Sequence, residues 1–307
     1  VTDSGTLAIT GGTTISASGQ DITLDEAAST FGTLALTGSN VAVTENAAMD
    51  LGASTIGGTA NFNSTSNVIT DSGTLAITGA TTINAGTADI TLDQAASTFG
   101  ALALTGANVA VTENAATDLA ASTVSGTLGV TSTGAVTDSG TLAITGATTI
   151  SASGQDITLD EAASTFGTLA LTGANVAVTE NAATDLGAST VSGTFGITSG
   201  GAITDSGTQA ITGAATFTNT AGTNDAITLD DASNAFSGTV TLSTDSGSAV
   251  TVVDTTALDL LALSAASLSV TAGGAVTDSG TLAITGATTI SASGQDITLD
   301  EAASTFG

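Results

Sequence analysis

Residues 21–44 read DITLDEAASTFGTLALTGSNVAVT, and this stretch decides the fold. In Asp21-Ile22-Thr23-Leu24-Asp25, apolar Ile22 and Leu24 alternate with polar neighbours. Asn40-Val41-Ala42-Val43-Thr44 repeats the pattern with Val41 and Val43, as does Thr6-Leu7-Ala8-Ile9-Thr10 with Leu7 and Ile9. Period-two alternation over about five residues is the mark of a half-buried strand. Clusters such as Asp3-Ser4-Gly5 and Gly38-Ser39-Asn40 punctuate the runs at turn positions. The Ala-rich piece Glu26-Ala27-Ala28-Ser29 is far shorter than the ~12 residues of a stable helix, so it reads as a corner.

Outward from this stretch, the chain copies itself. TDSGT recurs with its aspartate at Asp3, Asp71, Asp138, Asp205 and Asp278, at intervals of 68, 67, 67 and 73. Within one unit GTLAIT (residues 5–10) is echoed by GTLALT (residues 32–37), and a later unit adds GTFGIT (residues 193–198). Three related sub-repeats per unit predict coils of about 22 residues, the size of a solenoid turn. Residues 276–307 repeat residues 1–32 with one change, Ala287 for Gly12. The stretch from Gln209 to Val270 is longer and Leu-rich (Leu258, Leu260, Leu261, Leu263). One spacing resists a three-sided coil. Leu142, Leu169, Phe195 and Gln209 hold matching motif positions, with gaps of 27, 26 and 14, so one motif is expected to rotate onto another face.

The expected fold is all-β: a right-handed parallel β-helix (β-solenoid) of about 22-residue coils, three coils per 67-residue super-repeat. At a rise of ~4.8 Å, about 14 coils make a rod of roughly 65 Å. The chain reads as one continuous solenoid over residues 1–307, with units 1–67, 68–134, 135–201, a divergent 202–274 and a partial 275–307. Val1 opens directly into the repeat and no capping segment is visible, so a segment of a longer chain is expected. An absence of Pro suits strands that all donate ladder hydrogen bonds. The competing fold, an array of immunoglobulin-like sandwiches, needs ~100 residues per domain and an aromatic anchor. So short a period, without Trp or Tyr, argues against it.

Composition removes whole classes of function. The 307 residues include 28 acids and no Lys, Arg, His, Cys or Tyr, for a net charge of −28. Imidazole bases, thiolates, amine nucleophiles and phenols are therefore missing. Zinc, haem and iron–sulfur centres lose their usual ligands, and nucleic acid or anionic lipid would meet a surface of like charge. Acidic disorder is excluded as well, since only 9% of residues are charged and mean hydropathy is +0.42. No apolar run reaches the ~20 residues of a membrane-spanning helix, so no membrane insertion is expected.

Residues 156–190 (DITLDEAASTFGTLALTGANVAVTENAATDLGAST) and 225–263 (DAITLDDASNAFSGTVTLSTDSGSAVTVVDTTALDLLAL) resemble the repeats of filamentous-haemagglutinin-type surface exoproteins, which are giant bacterial adhesins of the two-partner or autotransporter routes. The resemblance spans the chain. It implies a right-handed parallel β-helix shaft on the cell surface, poor in Cys because a disulfide obstructs passage through an outer-membrane pore. No site residue is carried over from it.

The carboxylates are the strongest functional groups, about six per unit, for example Asp3, Asp21, Asp25, Glu26, Glu45 and Asp50. Stacked acids repel over a Debye length of ~8–10 Å, and calcium would relieve this. Asp25, Glu26, Asp160, Glu161, Asp300 and Glu301 are the calcium candidates. Gln94 replaces Glu26 in the second copy and no calcium-binding nonapeptide or EF-hand loop occurs, so solvated turn acids are the expected reading. A glycosidase pair should be unique and set in a cleft, whereas Asp25-Glu26 recurs; no catalytic residue and no cofactor is expected. The single Asn63-Ser64-Thr65 sequon reads as accidental. Phe31, Phe166 and Phe306 share one repeat phase and are expected to form a core stack. Outward Thr6, Ala8 and Thr10 make a flat uncharged face suited to surface carbohydrate, ice or a neighbouring rod. The function expected is that of an extracellular structural shaft that self-associates as a fibre.

Overall fold

The computed structural model describes residues 1–220, 225–244 and 248–307; residues 221–224 and 245–247, both in the divergent stretch, lie outside it. Short strands account for all the regular structure, and no described residue is helical. The parallel strands stack as a β-solenoid of about 14 turns. Two compact units, Val1–Ala152 and Ser153–Gly307, are described in turn.

In the first unit, Ala60–Asn63 is followed by Ile69–Asp71 and Leu75–Ile77, and then Thr81–Asn84 stacks on Ala60–Asn63 in parallel. The two short strands stack on Met49–Leu51 and Ser54–Ile56 of the coil below. Each coil thus gives one longer strand to one sheet and a kinked pair of short strands to the other. Inward positions align into columns. Met49, Ile69, Ile90, Val109 and Leu128 succeed one another coil by coil. Leu24, Val43, Phe62, Ile83 and Leu104 do the same on the other sheet. All ten are buried, and each such side chain is worth about 1.5–3 kcal/mol of transfer free energy.

The coil is shorter than the sequence suggests. Paired residues in the first unit lie 17 to 22 positions apart, as in Leu34 with Leu51 and Ala76 with Thr98. The tripeptide Ile-Thr-Leu at Ile22–Leu24 sits in one sheet, whereas its copy one repeat later, Ile90–Leu92, sits in the other. Leu75, Leu102, Leu128 and Leu142 likewise alternate between sheets. One repeat therefore holds three and a half coils, each advancing the chain by about 19 positions as from Ile22 to Val41, instead of three longer ones. The gaps of 27, 26 and 14 correspond to one and a half, one and a half, and half a coil. The changeover falls on strands such as Leu102–Gly106, where Leu102 supports Leu119 and Thr105 supports Thr123. Both sheets alternate inward and outward residues in the same way, so either can host the same motif.

The second unit follows the same plan. Ile157–Leu159 and Ile227–Leu229 lie on opposite sheets, and Leu169, Phe195 and Gln209 alternate, so the motif does move to another face as the shortest gap required. Here the coils lengthen, the longest of them carrying the chain from Ala215 to its ladder partner Val240. A register shift beside Val240 and Thr241 pushes Leu261 outward to 41% exposure, while Leu258, Leu260 and Leu263 remain buried.

The phenylalanines depart from expectation. Phe31 and Phe166 are buried, but copies one repeat apart, such as Phe31 and Phe99, are separated by three and a half coils, ~17 Å, beyond contact. Phe306 is 45% exposed. The aromatic stack consists instead of Phe195, Phe217 and Phe236, with centroids 5.8 and 6.0 Å apart and edge-to-face rings. Thr6, Ala8 and Thr10 face outward as read, but Ile9, on a terminal coil, is 36% exposed rather than core.

Where corners stack, backbones touch. A Cβ on Gly100 would stand 2.3 Å from the Gly79 carbonyl oxygen, so Gly100→Ala should cost about 1–3 kcal/mol through forced backbone displacement. Leu34, fully buried, gives the complementary test. Leu34→Ala should cost about 2–5 kcal/mol, and outward Thr91→Ala should stay within ~0.5 kcal/mol. Thermal unfolding followed by far-ultraviolet circular dichroism measures all three, and equal losses at Leu34 and Thr91 would contradict the inward–outward assignment.

Candidate functional site

Outside the Asp25-Glu26-type turns, most of the acids fall into four structural sets engaged between coils. The TDSGT aspartates receive backbone N–H groups from the DEAAST-type turn one coil onward. Asp3 accepts from Asp25 at 3.2 Å, Asp71 from Asp93 at 2.9 Å, Asp205 from Asp230 at 2.8 Å and Asp278 from Asp300 at 2.8 Å. This contact explains why the two motifs travel together. Burial, opposed by these hydrogen bonds, raises the pKa of Asp71 and Asp205.

The second set forms Asp–Asn–Thr columns at the turns. Asn40 donates its side-chain amide to Asp21 at 2.9 Å, and its Oδ1 accepts from the Thr59 backbone N–H and hydroxyl at 3.0 and 3.1 Å. The same geometry joins Asp89, Asn108 and Thr127, and again Asp156, Asn175 and Thr194. In the third set, Asp50 accepts from the Thr33 and Ser72 hydroxyls and Asp185 from those of Thr168 and Ser206.

The fourth set was expected at solvated turns and is in the core. Glu45, Glu113, Glu180 and Asp254 are each 2% exposed or less. Each accepts a backbone N–H from a phenylalanine: Phe31 at 2.5 Å, Phe99 at 2.8 Å, Phe166 at 2.8 Å and Phe236 at 3.3 Å. Desolvation by burial raises all four pKa values, with the hydrogen bonds pulling the other way; Glu180 reaches about 7. The signal was present in the sequence. Counting by two through Val41 and Val43 lands on Glu45, so the alternation itself points that carboxylate inward.

The calcium candidates sit differently. Asp25, Glu26, Asp160, Asp300 and Glu301 are exposed and Glu161 is half-buried, all on turns of the repeat. The backbone N–H groups of Asp25, Asp300 and Glu301 approach a neighbouring carboxylate. Among the described residues, no three acidic side chains converge as a cation site. An opening at the first coil is lined by residues including Val1, Leu7, Ile15 and Leu24. The side-chain carbonyl of Asn63, in the sequon, accepts the Thr65 backbone N–H at 3.1 Å.

Asn108→Ala removes both ends of one Asp–Asn–Thr column. The expected loss is about 1–2 kcal/mol, discounted for exposure, read as a lower unfolding midpoint with the far-ultraviolet spectrum unchanged at low temperature. An unchanged midpoint would show that the column contributes no stability.

Comparison with known proteins gives a family for these repeats. No curated protein and no solved structure matches the chain. Residues 1–37, 38–105, 106–172, 173–243 and 247–307 match the family model described as repeats of unknown function (DUF5649). With nearly every residue inside one of those five matches, the chain belongs to this family of tandem repeats, built here as a β-solenoid.

Proposed function

We propose that these repeats serve as the structural shaft of a giant bacterial surface protein or extracellular filament, holding a partner domain away from the cell or building a matrix. One observation carries the reading: polar side chains of the repeat are used to join coil to coil, as in the Asp–Asn–Thr columns and the phenylalanine-bound glutamates. Near-identical copies add length without adding a new surface, which suits a mechanical role. The likeness of residues 156–190 to filamentous-haemagglutinin-type repeats supports an extracellular, cell-surface location and a role in adhesion. In this reading the shaft is not an enzyme and needs no cofactor. It self-associates laterally or end to end.

A second reading, a binding module, rests on the hydroxyl columns. In the second unit Thr204, Thr228, Thr251, Ser269 and Thr289 stack in register on an outward face. Such a row suits surface carbohydrate, ice or a neighbouring shaft, and divergent residues 209–270 contribute to it.

Electron microscopy of the native material separates the readings. Long uniform fibres that survive calcium chelation are expected for a shaft held by backbone ladders and core stacking. Globular particles would refute it, and fibres that disperse on chelation would assign a structural role to calcium at the turn acids. Binding of carbohydrate or ice lost on replacing Thr228 and Thr251 by Val, with folding intact, would favour the module.

A further inference from the structure

Within the second unit, Glu180 ends the strand Val176–Glu180, and its side chain enters a closed set of hydroxyls. Its Oε1 accepts the Phe166 backbone N–H at 2.8 Å. Its Oε2 lies 2.9 Å from the Thr184 hydroxyl, which lies 3.0 Å from the Ser199 hydroxyl, which donates to the Ala182 carbonyl at 2.8 Å. Ser199 also receives the Gly201 backbone N–H at 3.2 Å. All three side chains are buried.

The hydrogens can be counted. The chain from Glu180 Oε2 to the Ala182 carbonyl has three oxygen–oxygen contacts. With an ionised carboxylate, Thr184 and Ser199 supply only two hydrogens, so one contact sets lone pair against lone pair. With a proton on Oε2, every contact has one hydrogen: Glu180 donates to Thr184, Thr184 to Ser199 and Ser199 to Ala182. Buried networks reward complete satisfaction and penalise partial satisfaction. We propose that Glu180 is a proton-binding site, held as a neutral carboxylic acid in weakly acidic solution, and that release of this single proton loosens the coils around it as the solution turns alkaline.

The surroundings agree. The strands packed against Val176–Glu180 are Ile157–Leu159 and Phe195–Ser199, neither with a titratable side chain. Thr184–Leu186 contributes Asp185, which is engaged by the Thr168 and Ser206 hydroxyls, and the turn before Phe166 contributes Asp160 and Glu161. All are acids, and an adjacent acid can only hold the proton more firmly. The chain has no Lys, Arg or His to oppose this. A shift to about 7 from the ordinary glutamate value means roughly 300-fold tighter proton binding in the folded state. The sign follows from linkage. The stabilisation is complete below the unfolded glutamate value and is lost as pH rises to about 7. At Glu45 the relay position is held by Met49, which has no hydroxyl to pass the proton on.

Carbon-13 labelling of the six glutamates gives a direct test by nuclear magnetic resonance, with the Glu180 carboxyl signal assigned by its absence in Glu180→Gln. That signal should titrate near pH 7; titration in the ordinary glutamate range would overturn the proposal. Glu180→Gln mimics the protonated acid, with Oε1 accepting from Phe166 and Nε2 donating to Thr184. It should unfold at a higher temperature than the parent at pH 8. The proton uptake linked to folding between pH 5 and 7 should fall by about one. A variant less stable than the parent at pH 8, or with the parent's full pH slope, would equally overturn it. This inference does not depend on the shaft reading, and failure of either leaves the other standing.

Discussion

Each coil is held by main-chain hydrogen bonds to the coils beside it, and that constraint governs everything else. A parallel ladder aligns each strand residue with a partner one coil on, 17 to 25 positions away. Inward residues then lie over inward residues, and a polar residue admitted to one coil must find its partner in the same coil or the next. The Ile, Leu and Val columns satisfy the rule by dispersion and burial. The Asn and Asp columns satisfy it with side-chain amides and carboxylates that bridge one rung to the next.

A chain without cations has to manage its acids by other means. Coulombic pairing is closed to it, so its carboxylates turn to backbone N–H groups and hydroxyls. At the turns this is inexpensive, because water solvates whatever the neighbours do not. Inside, the same tactic leaves a charge with few donors, and burial shifts the balance toward the protonated form. Glu45, Glu113 and Glu180 recur at one position of the repeat, with Met49 four residues on from the first and Thr117 and Thr184 four residues on from the other two. Asp254 repeats the contact to phenylalanine in the divergent stretch with a shorter side chain.

The repeat and the coil are not commensurate. The sequence period and the coil length meet only after seven half-coils, which sends each motif to the opposite sheet at each recurrence within a unit. The long strands at the changeover, such as Thr33–Gly38 and Leu102–Gly106, carry one short strand on each half. In the divergent stretch the coils lengthen. There Phe217 and Phe236 extend an aromatic stack that begins at Phe195 of the preceding repeat.

Local pattern alone determined that these residues form strands, that turns fall at the Gly, Asp and Asn clusters, and that the strands stack as a parallel solenoid. Alternation at Ile22, Leu24, Val41 and Val43 needs no knowledge of distant residues, because the side-chain period of a strand is two wherever it lies. The motifs also marked which acids recur, though not what each one touches. Coil length, the division of a repeat into half-coils, the pairing of Asp3 with the turn at Asp25 and the enclosure of Glu180 by Thr184 and Ser199 were decided only in three dimensions. These depend on which residue comes to lie above which after a full turn. That is set by the sum of strand, kink and corner lengths around the coil, and a change of one residue anywhere on the circuit moves every partner that follows.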